Sequence, residues 1–139
     1  MQAFFKSDPI NKSDQDAITH HLTEELKALL IICKEYQPKT LIGSAGAFET
    51  FAGMIAPELN IKEISTADIS LTAYRELAGQ LVSATHQERE QMEGLIPLRV
   101  DMIVMACMLT NYIIDELSIK HLKLSTYDLK MGVLQSLKA

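Results

Sequence analysis

The stretch LIGSAGAFETF, Leu41 to Phe51, decides how the chain is read. A short apolar strand, TLIG, ends at Gly43, and a helical phrase follows from Ala45 to Ile55, closed before Pro57. Gly43 and Gly46 bracket Ser44 and Ala45 in a strand-to-helix turn. In open α/β sheets such turns lie beyond the carboxyl ends of strands, where free N–H groups of a helix N-terminus attract anions. The turn is neither a dinucleotide fingerprint nor a Walker loop, because the lysine and the spacing are both missing. The simpler reading is a glycine turn needed for backbone geometry alone. Glu49 bears on the choice. It falls in the first helical turn, where its carboxylate already complements the helix dipole and would repel a second anion. A sugar or base is therefore a more comfortable guest here than a bare phosphate.

Elements on either side extend the same α/β pattern. Residues 13–36 read as one long helix, with Ile18, Leu22, Leu26, Leu29, Cys33 and Tyr36 on one stripe and Asn11 or Ser13 as cap. Pro38 stops it. NIKEIS, residues 60–65, reads as a short strand, and a helix follows from about Ser70 to Ala84. Thr85 and Glu88 have capping-box spacing for the short helix HQEREQME, which Gly94 ends. The segment from Pro97 to Leu117 is helical and apolar nearly all round, so it belongs in a domain centre. IKHLKLS alternates as a strand, and Tyr127 to Leu137 close the chain as a helix. Strands separated by helices predict a mixed or parallel sheet with helices packed on it, in a single domain over residues 1–139.

Composition narrows the function. A net charge of −5 argues against nucleic acid as a main partner. Cys33 and Cys107 lie in apolar helical patterns and read as buried thiols of a reducing cytoplasm. The opening lacks a signal-peptide pattern, and MIVMACML, residues 102–109, is too short to span a bilayer, so the expectation is a soluble cytoplasmic chain with no membrane partner. The strand-like opening MQAFFKSDP reads as a natural start or as an edge strand cut from a longer protein.

Candidate chemistry is sparse. No histidine pair has zinc-site spacing, and there is no Gly-x-Ser-x-Gly elbow or Cys–His pairing, so neither a catalytic residue nor a metal ligand is assigned. Arg99 and Asp101 open the apolar helix, where an unpaired charge is costly. Either they form an internal salt bridge that clamps the helix start, or Arg99 faces a substrate cleft.

Three phrases in order carry a resemblance: LIGSAGAFETF, then ERE…EGLIPLRVDMIVMACML, then LKLSTYDLKMGVL. Together they resemble the exopolyphosphatase and guanosine pentaphosphate phosphatase family over roughly residues 39–135. The resemblance implies a ribonuclease-H-like, actin-like ATPase fold of two α/β halves with a cleft between them, this chain being most of the second half. It implies magnesium-assisted hydrolysis of a terminal phosphoanhydride of polyphosphate or guanosine pentaphosphate. The N-terminal phosphate loop, the catalytic glutamate of the first half and the glycine-rich acidic phosphate motif that opens the second, all implied by the resemblance, do not occur here, so the chain alone is expected to be inactive. Substrate contacts implied for this part are Gly43, Ser44, Gly46, Ala47, Glu49, Arg99 and Lys130. Ala47 replaces the family's usual threonine, while Lys130 and Met131 replace arginine and glutamate. Those departures keep open a non-catalytic nucleotide-sensing or protein-interaction relative. A self-sufficient adaptor or homodimer pairing through its apolar helix is a third reading.

Overall fold

Chain order in the computed structural model, which describes residues 6–44 and 46–137, starts with a cap. The Asn11 side chain accepts the Asp14 N–H at 2.9 Å and starts α1, Lys12–Glu25. The expected single helix over 13–36 is in fact two, because the chain breaks at Leu26 and resumes as α2, Lys27–Tyr36. Thr19 and Thr23 each turn a hydroxyl back onto the carbonyl four residues earlier, an arrangement that bends helices. Ile18 and Leu22 consequently reach the core, whereas Leu29 and Tyr36, on the same sequence stripe, stay exposed. Cys33, expected to be buried, is only half-buried for the same reason. The strand-like MQAFF lies outside the described residues.

After Pro38 comes β1, Thr40–Ser44, then α3, Ala47–Ile55. The strand expected at residues 60–65 is displaced. Ile61 and Ile64 are three apart, a spacing that suits one helical turn, and residues Ile61–Glu63 form a 3-10 turn before β2, Thr66–Ile69. Next, α4, Leu71–Ser83, is capped by Ser70, and α5, His86–Glu90, carries both halves of the Thr85–Glu88 capping box. The long apolar helix starts late. Pro97–Arg99 form a 3-10 turn, and α6 runs over Ile103–Leu117. Arg89 explains the delay: its Nε takes the Val100 carbonyl at 3.3 Å, an acceptor that a continuous helix would offer its own backbone. The chain closes with β3, His121–Ser125, and α7, Leu129–Ser136, capped by Asp128.

The sheet has order β1-β3-β2, with β1 parallel and β2 antiparallel to β3. Its register aligns Leu41 with Leu122, Gly43 and Ala67 with Leu124, and Ile69 with Leu122 on one face. That face meets the helices. Phe51 of α3 packs edge-on against Tyr74 of α4 at 5.1 Å between centroids, and both are fully buried. The Tyr74 hydroxyl donates to the Cys107 carbonyl of α6 at 3.4 Å, and burial pushes that hydroxyl's pKa upward. The opposite face, with Ile42, Lys123 and Asp68 in register, is open, and Lys123 pairs with Asp68 at 2.9 Å. Among the described residues no helix is long and apolar enough to cross a membrane.

Candidate functional site at the head of the third helix

At the carboxyl end of β1 the backbone comes close to its own helix. A Cβ on Gly43 would fall 1.9 Å from the Phe48 ring, so only glycine lets that ring lie over the strand and lead α3 back onto the sheet. Gly46 caps α3 at φ 57 and ψ −116, a backbone shape that side chains disfavour. Its carbonyl accepts both the N–H and the hydroxyl of Thr50, each at 3.3 Å. Ser44 is exposed at the strand end, and Ala45 lies outside the described residues.

Arg99 arrives at this turn from a distant part of the sequence. Its Nη1 lies 3.4 Å from the position a Cβ would take on Gly46. Arg99 and Ala47 also border a hollow of about 240 Å³ with Leu22, Met102 and Leu109. The Arg99–Asp101 salt bridge offered by sequence does not form. Asp101 instead meets His86 Nε2 at 2.9 Å, and Glu90 stands 3.7 Å from the other ring nitrogen. Among the described residues the Arg99 side chain makes no hydrogen bond or ion pair, and the residue is half-buried. The clamp role belongs to Arg89, which is buried, donates to the Ala84 and Val100 carbonyls and approaches Asp8 at 3.8 Å. Sequence reading sets Arg89 and Arg99 on either side of the Gly94 break but gives the clamp to Arg99 and Asp101. The place of Arg89 inside a five-residue helix next to a glycine break was the available signal.

Glu49 lies on the other flank of the same helix turn. It borders a cleft of about 800 Å³ with Lys62, Glu63, Ser65, Thr126 and Tyr127. The Thr126 hydroxyl is committed to the Ile64 carbonyl at 2.7 Å and ties the end of β3 to the start of β2. Met131 reaches the cleft, whereas its neighbour Lys130 is exposed on α7 and does not border it. Thus Gly46, Ala47 and Arg99 come together, Glu49 faces a separate cleft, and Lys130 stands apart. The cleft-lining segments 62–65 and 126–127 were missed, although the rule that ligands sit beyond strand carboxyl ends applies to β3 as much as to β1.

Chemically the two flanks differ. A guanidinium at a helix N-terminus, unpaired among the described residues, offers forked N–H donors and positive potential to an anionic oxygen. The cleft carries two carboxylates against one ammonium and suits hydroxyl or amino donors of a ligand.

Comparisons with known proteins bear on the family and the fold. A model of the Ppx/GppA phosphatase family matches residues 1–139. Among solved structures, the chain is similar to an exopolyphosphatase from Cytophaga hutchinsonii, with TM-score 0.90 and 31% identity over 98% of this chain and 45% of that one. A PPX-GPPA enzyme from Aquifex aeolicus superposes with TM-score 0.79 at 18% identity, over 97% of this chain and 44% of that one, a likeness of fold. No curated protein matches the chain. The fold is the ribonuclease-H-like, actin-like α/β class, and the chain spans less than half the length of these solved relatives.

Proposed function

The chain belongs to the Ppx/GppA phosphatase family, and from that premise we propose that it is the second half of a hydrolase acting on terminal phosphoanhydrides of polyphosphate or guanosine pentaphosphate. One observation carries the reading: the Arg99 guanidinium, unpaired among the described residues, lies on Gly46 at the head of α3. An arginine there offsets the objection raised by Glu49 and supports an outer phosphate at this point. The cleft beside Glu49 then takes the sugar or base of a nucleotide substrate, or stays empty with polyphosphate. A bidentate arginine contact to phosphate adds about 1.5–3 kcal/mol of binding, with geometric selection besides.

No described residue here is assigned a catalytic role. Magnesium is the ion we assign to the whole protein, where it would stabilise charge on the transferred phosphoryl group. Among the described residues no group of three or more histidine, cysteine or acidic side chains gathers to hold a metal. The chain alone is expected to release no phosphate from either substrate with magnesium. Measurable release by the 139-residue chain would overturn that assignment. A nucleotide-sensing relative is the second reading, favoured by the acidic cleft and by Ala47, which lacks the hydroxyl of the family threonine. Calorimetry with guanosine tetraphosphate separates the two: tight binding by a complete protein that hydrolyses neither substrate favours the sensor.

A further inference from the structure

Among the described residues no partner pairs with the Arg99 side chain, so the place of its guanidinium follows from the backbone that carries it. That backbone is not part of a regular helix. Its bonds are short-range: the Arg99 N–H donates to the Ile96 carbonyl at 2.8 Å, the Val100 N–H to Pro97 at 3.3 Å and the Met102 N–H to Arg99 at 3.0 Å. No side chain caps the start of α6. Leu98 and Met102 are 79% and 47% exposed, which leaves the buried Val100 as the apolar anchor of the turn.

The remaining hold comes from α5. Arg89 donates to the Val100 carbonyl at 3.3 Å, and His86 Nε2 meets the Asp101 carboxylate at 2.9 Å. A carboxylate only accepts, so Nε2 carries the hydrogen. One short helix thus grips the two residues that directly follow Arg99, the first by its backbone and the second by its side chain. The helix is itself well fixed. The Thr85–Glu88 box closes its first turn, and both carboxylate oxygens of Asp8 accept the His86 N–H, at 2.8 and 2.9 Å. Glu90 stands 3.7 Å from His86 Nδ1, so the ring lies between two carboxylates, with the Arg89 guanidinium 3.8 Å from Asp8. A pair as exposed as His86 and Asp101 adds little to the stability of a whole fold. Its place one residue beyond Arg99 makes its effect local.

We infer that His86 is a positioning residue: through Asp101 it holds the 97–102 turn so that the Arg99 guanidinium stays on Gly46 at the head of α3. The functional side of this rests on the phosphate role proposed for Arg99, but its first readout is independent of that role. The test uses the 139-residue chain with His86→Ala and with His86→Gln, which keeps an N–H donor within reach of Asp101 and carries no titrating ring. Amide hydrogen exchange reads the turn, and titration with inorganic tripolyphosphate reads Arg99. His86→Ala is expected to speed exchange at the Arg99 and Met102 amides by about two- to fivefold, the range an exposed pair supports, and to weaken tripolyphosphate binding by a similar factor. His86→Gln is expected to restore most of both. In an Arg99→Ala background, His86→Ala is expected to change binding no further.

Unchanged exchange at Arg99 and Met102 in a His86→Ala chain that is folded by circular dichroism overturns the inference. A binding loss that His86→Gln fails to restore overturns it too, since the effect is then one of charge on the ligand. So does a loss that persists when residue 99 is already alanine. A wild-type chain that binds no tripolyphosphate removes the phosphate reading instead. Faster exchange in His86→Ala, restored by His86→Gln, then still leaves His86 as the residue that holds the turn.

Discussion

Cys107 and Cys33 lie in similar apolar helical patterns on helices that border the same groove, yet they end in opposite surroundings. Cys107 of α6 is fully buried among α4 and the sheet, and that burial pushes its thiol up to about 12. Cys33 of α2 is half-buried on the wall of an open groove. The difference is not one of hydrophobicity. On the packed side, α3, α4 and α6 close over the inner face of the sheet, and Phe51, Tyr74, Leu81, Val104, Leu122 and Leu124 lose essentially all contact with water. On the open side, α2 and the edge of β1 carry comparable side chains without cover: Ile31 is 64% and Ile42 60% exposed. One side is a finished core. The other is an open apolar surface.

The sharpest test of that contrast is a pair of truncations. Phe51→Ala opens a cavity under the sheet and is expected to lower unfolding stability by about 3–5 kcal/mol in urea titration. Ile31→Ala is expected to change it by less than about 0.5 kcal/mol, as for a surface site. A comparable loss at both positions would mean that α2 is covered in solution and would dissolve the contrast.

Gly43→Ala probes the junction between the two sides. The added Cβ would enter the Phe48 ring at 1.9 Å, so the ring or the strand must shift. Overpacking of this kind costs about 1–3 kcal/mol, measurable as a fall in thermal midpoint. An unchanged midpoint would show that Phe48 is not held over β1.

A smaller effect belongs to the capping box. Glu88 accepts the Thr85 N–H at 2.7 Å and the Thr85 hydroxyl at 2.9 Å, and those bonds hold its carboxyl below the usual carboxylate range. A depressed folded-state value gives stability that is present above the ordinary carboxylate pKa and lost as pH falls through the folded value. Thr85→Ala should therefore destabilise the chain at neutral pH, with the gap to wild type narrowing in acid. A gap that widens in acid would contradict the assignment.

Much of the packed side was legible in sequence, because periodicity reports burial where burial is local. The stripe of Tyr74, Ala78 and Leu81 and the alternation of Leu122 and Leu124 both point inward as expected. Ser70, Thr85 and Asp128 cap helices near the expected starts. The errors arise where side chains take backbone carbonyls. Arg89 captures a carbonyl and delays α6, and the threonine hydroxyls of α1 bend a stripe that reads as continuous. At the site, the glycine turn and Arg99 were each visible separately, but their meeting was not. More than fifty residues separate them, and the apparent partner Asp101 was taken by His86.

The most direct measurement of the proposed role is titration of the chain with inorganic tripolyphosphate, followed by amide chemical shifts. Shifts are expected at Gly46, Ala47 and Glu49, with Arg99→Ala weakening binding on the order of tenfold or more. Shifts confined to other surfaces, or an affinity unchanged by Arg99→Ala, would contradict the phosphate role of this turn.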